Sequence, residues 1–213
     1  MSYYFIQSRE IVDRGSLFIA NICSVTSDKD TIAQINQIAQ AKYQLRQSRN
    51  SEPTHSITAY RYLGLKPRKS GLSEDDFTLK SGYDDDGEKY AGKRILEEQI
   101  TTKTPYGQTI DALIVVSRWY GGQMLGPIRF EHIKNLCKEV CDEMRNQEEL
   151  REKVNTLTSL DDNITELRSK LGMENKSQNY DNLDNAKAER LIKARRGTLD
   201  ILKKKLSNRV DPK

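Results

Sequence analysis

Aromatic residues are scarce in this 213-residue chain, at 7% with a single tryptophan, and cysteines and histidines are scarcer still. Cys23, Cys137 and Cys141 are odd in number and lack CxxC spacing, which speaks against a disulfide framework and a zinc ribbon. Cys137 and Cys141 lie one helical turn apart and read as small apolar residues on a buried helix face. The two histidines, His55 at a strand entrance and His132 on a helix face, read as structural hydrogen-bonding residues. With no evident nucleophile and base and no ligand set, neither an enzyme, a cofactor nor a metal is expected. No apolar run approaches the ~18 residues of a membrane span. The opening MSYYFIQSRE also lacks the basic-then-apolar order of a signal peptide. A soluble cytoplasmic protein without a membrane partner is expected, with a nuclear location open.

What is present is unevenly distributed. Hydrophobic residues make up 36% and charged residues 31%, so a core occupies part of the chain and solvated helix the remainder. Tyr3 to Ile6 suit an edge strand or core margin, and Asp13-Arg14-Gly15-Ser16 reads as a turn. Leu17 to Val25 predicts a strand, a helix follows over about Lys29 to Leu45, and Ser56 to Leu63 alternates as a second strand. Gly64 to Ser81, polar with Pro67 and Gly71, reads as a long hairpin connection or surface insertion. Tyr90 to Ile100 has helical spacing.

The stretch DALIVVSRWYGGQMLGPIRF organises the rest. Ala112 to Val116 are an apolar run suited to a strand covered on both faces. Gly121, Gly122 and Gly126 follow, and Pro127 is placed as the first residue of a helix. These glycines form neither a Walker loop nor GxGxxG. Arg118 and Arg129 beside the turn admit two readings, an anion site or a lock in which the arginines pair with the acidic loop Asp84-Asp85-Asp86-Gly87-Glu88. That loop precedes a helix, so its acids fit capping, salt bridges to a partner, or less well a cation, since an EF-hand's later ligand is missing.

Beyond Pro127 an apolar stripe continues into a seven-residue repeat, Leu150, Leu157, Ile164 and Leu171, predicting one long helix to Gly172. A polar break to Asp181 precedes a further helix over Asn182 to Leu206, and the two make an antiparallel hairpin. From Asp142 to Leu171 eight acids outweigh five bases, whereas from Asn182 to Lys213 ten bases outweigh four acids. Either the helices attract one another, or Lys187, Arg190, Lys193, Arg195, Arg196, Lys203, Lys204 and Lys205 form a basic face for RNA, ribosome or an acidic partner. With no aromatic residues among them, nucleic-acid contact would be to phosphate.

In order, Asp85-Asp86-Gly87-Glu88, Ala91-Gly92, Val115 to Gly122 with Arg118-Trp119-Tyr120-Gly121-Gly122, Leu125-Gly126-Pro127 and Arg129-Phe130 resemble the signature of the IMPACT family, whose domain also occurs in bacterial YigZ-type proteins. Arg14, Phe18-Ile19-Ala20, Thr54-His55 and Ala59-Tyr60-Arg61 fit its first two strands. The resemblance implies an α/β, two-layer α+β domain over residues 1–141, similar to the second domain of ribosomal protein S5, with a four-stranded mixed sheet and helices on one face. Residues 142–213 would add the C-terminal helical hairpin. It further implies translational control. Eukaryotic members bind the ribosome-associated activator of the starvation-responsive kinase of initiation factor two, and ribosome and actin association are attributed to them. The chain departs from that branch in having little sequence before Arg14 for an N-terminal RWD domain, and in its C-terminal hairpin. The resulting expectation is a non-catalytic, ribosome-associated or stress-response regulator of translation whose protein partner meets a surface of Asp85, Asp86, Gly87, Glu88, Arg118, Trp119, Tyr120, Gly121, Gly122, Gly126, Pro127 and Arg129. An electrostatic RNA-binding module is the alternative, and an enzyme on a phosphorylated small molecule at the glycine turn a weaker one.

Overall fold

The computed structural model describes residues 5–25, 52–101, 109–174 and 179–210; the helix expected over Lys29 to Leu45 lies outside them. The chain forms two compact units, Met1–Met144 and Arg145–Lys213.

The first unit is built on one sheet of β1 (Phe5–Gln7), β2 (Ile11–Asp13), β3 (Ser16–Ser24), β4 (His55–Leu65), β5 (Phe77–Asp84) and β6 (Ala112–Trp119). The strand order is β1-β3-β6-β4-β5, with β2 pairing β3. The two-layer α+β class stands. The sheet itself has six strands with every pairing antiparallel, where a four-stranded mixed sheet was expected. The reason is the place of β6. β3 and β4 run the same way, but β6 enters between them in the opposite direction, so no parallel pair forms. Beside β3, β4 and β6 the described sheet holds the three-residue pieces β1 and β2 and the largely exposed β5.

Of the two readings of residues 64–81, the hairpin connection holds in part: β4 runs on through Leu65 and β5 begins at Phe77, so only residues 66–76 connect the strands, with a 3-10 turn at Glu74–Asp76. Asp76 folds it. Its carboxylate accepts from Ser70 Oγ at 3.1 Å and from the Gly71 N–H at 3.0 Å.

Apolar alternation fixes the two faces of the sheet. Phe18, Ala20, Ile22, Ile57, Ala59, Ala112, Ile114 and Val116 point to one side, where α1 (Ala91–Thr101) and the first part of α2 (Ile128–Lys170) pack. Ala91 and Ile95 of α1, with Ile133, Leu136, Cys137, Val140, Cys141 and Met144 of α2, complete that core. Each large aliphatic among them contributes about 1.5–3 kcal/mol by leaving water. Leu113 and Val115 face the other way and cluster with Cys23, Val25 and Tyr62, so β6 is covered on both faces as its sequence predicts. All three cysteines are free and buried, and burial pushes the Cys23 thiol up to about 12.

The second unit is a helical pair. Ile164 and Leu171 meet Leu202, flanked by Leu167, Leu199 and Leu206, which is the seam the seven-residue repeat predicts. α3 (Asn185–Val210) starts on Asp184, whose Oδ1 accepts the Lys187 N–H at 2.7 Å. Across the pair, Arg195 Nε donates to Asp161 Oδ1 at 2.6 Å, and the Tyr180 hydroxyl donates to the other Asp161 oxygen. No helix among the described residues is long and apolar enough to cross a membrane.

Candidate functional site

Register brings the site together. Phe18 of β3 and His55 of β4 both lie opposite Arg118 of β6, so the end of β6 sits between the turn before β3 and the residues that open β4. Tyr120 N–H donates to Thr54 Oγ1 at 3.0 Å and Gly121 N–H to Ser16 Oγ at 3.1 Å, tying the glycine turn to both neighbours.

The acids of the 84–88 loop do different work. Asp85 caps α1, its two oxygens accepting the Tyr90 N–H at 2.9 Å and the Gly92 N–H at 2.8 Å. Asp86 accepts the Ser56 N–H at 2.5 Å through Oδ2, and its carbonyl takes a hydrogen bond from His55 Nδ1 at 2.7 Å. A carbonyl only accepts, so Nδ1 carries the proton. Nε2 then faces Glu88 Oε2 at 3.8 Å. Gly87 lies in the turn between them at φ 80°.

Glu88 is the hub. It is 5% exposed; one carboxylate oxygen accepts from Arg118 Nη1 and the other from Arg129 Nε at 2.6 Å. Arg129 also donates through Nη1 to the Gly126 carbonyl at 2.7 Å, holding the turn ahead of Pro127. Arg118 is 6% exposed, lies over the Phe18 and Tyr120 rings, and keeps a buried Nε without a hydrogen-bond partner among the described residues. Of the two readings of the arginines, the geometry realises the lock. Glu88 brings one negative charge to the two guanidiniums, so the pairing weakens the positive field that an anion at the glycine turn would need.

These facts divide the expected surface residues. Glu88 and Arg118 lie beneath the surface and Trp119 is half-buried, whereas Tyr120, Gly121, Gly122 and Pro127 are exposed. Met124, 84% exposed, joins Tyr120 on the outside of the turn. What sequence reasoning missed is the contact partner of that turn. The Asp13 to Ser16 turn packs against it, with Arg14 Nη2 donating to the Leu125 carbonyl at 3.5 Å. His132 Nε2 lies 2.8 Å from Asp13 Oδ2 and its ring rests on Phe18. The DRGS turn signal was legible; its target was not.

Asp13 carries a pH prediction. Hydrogen bonds from Arg14 and then His132 hold its carboxyl at about 2, below the ordinary 3.8. A depressed folded value means the contribution is present above 3.8 and lost as pH falls toward 2. Asp13→Asn is therefore expected to remove part of the acid sensitivity in that window. Urea midpoints measured from neutral pH downward check it, and parallel curves for the two proteins would exclude the role.

On α3, Lys187, Arg190, Lys193, Arg196, Lys203, Lys204 and Lys205 are exposed and spread around the helix outside the seam of Leu199, Leu202 and Leu206. Arg195 differs from the rest of the expected basic face, being turned to Asp161 inside the pair. Lys187 is held by Asp184 at 3.1 Å.

Comparison with known proteins shows the family described as Impact N-terminal domain matching residues 14–141. Protein IMPACT-A of Xenopus tropicalis is 35% identical over 138 residues, covering 63% of this chain and 36% of that protein. Protein IMPACT of Homo sapiens is 34% identical over 132 residues, covering 61% and 34%. The chain thus spans about a third of the length of these relatives. Among solved structures, that of Yih1, a two-domain translational regulator, is 28% identical, covers 65% of this chain and 46% of its own, and superposes with a TM-score of 0.37.

Proposed function

Because the chain belongs to the IMPACT family through residues 14–141, we propose that it is a non-catalytic binding protein acting in translational control, which contacts the ribosome through the exposed basic residues of α3. The observation that carries the ribosome contact is the separation of charge from packing on that helix. Leu199, Leu202 and Leu206 close the seam of the helical pair while Arg190, Lys193, Arg196, Lys203 and Lys204 stand exposed, with Ile201 exposed among them. Such a basic surface suits phosphate, which is read by charge and hydrogen bonding without base stacking. The exposed turn of Tyr120, Gly121, Gly122, Met124 and Pro127 would supply a second surface, for a protein of the translation or starvation-signalling machinery. The lock beneath it favours recognition over chemistry, since Glu88, Arg118 and Arg129 are committed to one another.

Charge reversal tests the first surface. Changing Lys193, Arg196, Lys203 and Lys204 together to Glu is expected to release the protein from ribosomes in sedimentation, and binding by the unchanged protein is expected to fall steeply as salt rises. Arg195 is left alone because its loss would remove the counter-charge of Asp161 within the helical pair. Undiminished co-sedimentation of the quadruple variant would remove the ribosome from the proposal. Equal affinity for naked RNA would favour the electrostatic RNA-binding reading instead.

A further inference from the structure

Among the described residues, the hairpin of β4 and β5 presents an unpaired edge and, toward Leu65 and Phe77, a partly covered face. β5 ends the sheet order, and among the described residues no strand pairs with its outer side. Its sequence, Phe77-Thr78-Leu79-Lys80-Ser81-Gly82-Tyr83-Asp84, has apolar Phe77, Leu79 and Tyr83 two or four apart, the pattern of a strand with one covered face. Here that face is only partly covered. Phe77 is 38%, Leu79 48% and Tyr83 50% exposed. The register sets Phe77 opposite Leu65 and Leu79 opposite Leu63, which are 48% and 44% exposed on the same side.

Five half-exposed large side chains on one face are more than scattered surface apolar residues. The edge is also undefended. Natural edges are kept short, kinked by proline or bulges, or charged toward the open side. β1 at the other end has three residues, whereas β5 has eight, without proline. Its one lysine, Lys80, lies over the Tyr62 ring on the opposite face. Alternate residues of such a strand turn their N–H and C=O groups outward, ready for another backbone.

We propose that β5 accepts an extended segment of a partner protein as an additional antiparallel strand, one with basic residues at its N-terminal end followed by apolar residues at alternate positions. The polarity follows from charge. β5 runs into exposed Asp84 and Asp86, each with one oxygen tied inside the loop, Asp84 Oδ1 by the Asp86 N–H and Asp86 Oδ2 by the Ser56 N–H. At the other end the charges compensate, Lys66, Arg68 and Lys69 standing against Glu74, Asp75 and Asp76, with Lys69 3.5 Å from Asp76. An antiparallel strand begins beside Asp84 and finishes beside Phe77, so its bases belong first and its apolar residues after. A second copy of this chain fits worse. Pairing β5 with itself about a two-fold axis would set Asp84 and Asp86 against the charge-compensated end before Phe77, which brings no excess of bases to them. None of these residues belongs to α3, so this strand site stands or falls independently of the ribosome contact.

The test uses the full chain against a displayed library of random dodecapeptides, counter-selected on the Phe77→Thr, Leu79→Thr double variant, whose changes are at exposed positions. Lys/Arg residues preceding alternate apolar positions are expected to enrich. A synthetic peptide of an enriched sequence should bind the double variant at least tenfold more weakly. Methylating its backbone nitrogens at alternate positions in one of the two possible phases should abolish binding, and amide exchange along β5 should slow in the complex. Failure to enrich any peptide over the variant, or binding indifferent to both N-methylation patterns, overturns the proposal. Self-association of the free protein that Leu79→Thr abolishes would also overturn it, by making a second copy the occupant.

Discussion

Glu88→Ala is expected to destabilise the first unit by about 3–5 kcal/mol, because it leaves a buried guanidinium with no counter-charge. The argument rests on where the three groups lie. The side chains of Arg118 and Glu88 are 7% and 6% exposed, so neither is screened by water, and Arg118 already keeps one orphaned Nε. Arg129 is less affected, since a quarter of its side chain reaches solvent and its bond to the Gly126 carbonyl does not need Glu88. The loss therefore falls on Arg118. Two companion variants separate charge from packing. Glu88→Gln keeps the shape and one acceptor and should fall between wild type and Ala. Glu88→Leu with Arg118→Met removes both ions and should recover much of the loss, as buried pairs replaced whole often do. Trp119, the sole tryptophan, ends β6 and reports on this unit in equilibrium urea unfolding. A loss below about 1 kcal/mol for Glu88→Ala would refute a structural lock, since surface ion pairs contribute no more than that.

How much of this was legible follows from the range over which each signal acts. β6 was plain because Ala112 to Val116 is apolar without interruption, and both faces of that strand are buried. The helical pair was plain because its seam repeats every seven residues through Leu157, Ile164 and Leu171. β5 was not, because Ser81 interrupts the alternation of Phe77, Leu79 and Tyr83 and the polar stretch with Pro67 and Gly71 before it reads as loop. At the site, the pairing of the acidic loop with Arg118 and Arg129 could be foreseen, since charge alone suggests it. Which acid would take which task could not. Asp85 caps α1 and Glu88 meets the arginines only because the loop turns at Asp86 and Gly87, which both have positive φ. The Ser16 hydroxyl under Gly121 was beyond reach, as the two lie 105 positions apart and no pattern links them.

That contact gives the second large effect. Gly121→Ala is expected to cost about 3 kcal/mol by overpacking, while Gly122→Ala costs about 1 kcal/mol through left-handed backbone strain. The two glycines are neighbours but differ in what surrounds them. A Cβ at Gly121 would stand 1.9 Å from the Gly15 carbonyl carbon and 2.2 Å from the Ser16 nitrogen, both backbone atoms that no rotamer change can clear. A Cβ at Gly122 would meet nothing within 4 Å, and only its φ of +85° opposes the change. To admit a methyl group at Gly121 the two turns must part, and the Gly121 to Ser16 and Tyr120 to Thr54 hydrogen bonds are the first to stretch. The consequence reaches the surface proposed for a protein partner, because Tyr120 and Met124 are presented by this turn. Gly121→Ala should therefore weaken partner binding even at temperatures where the protein stays folded, whereas Gly122→Ala should disturb it less. Urea midpoints followed by Trp119 fluorescence give the first comparison. Equal losses for the two variants would mean that the turns do not meet backbone to backbone.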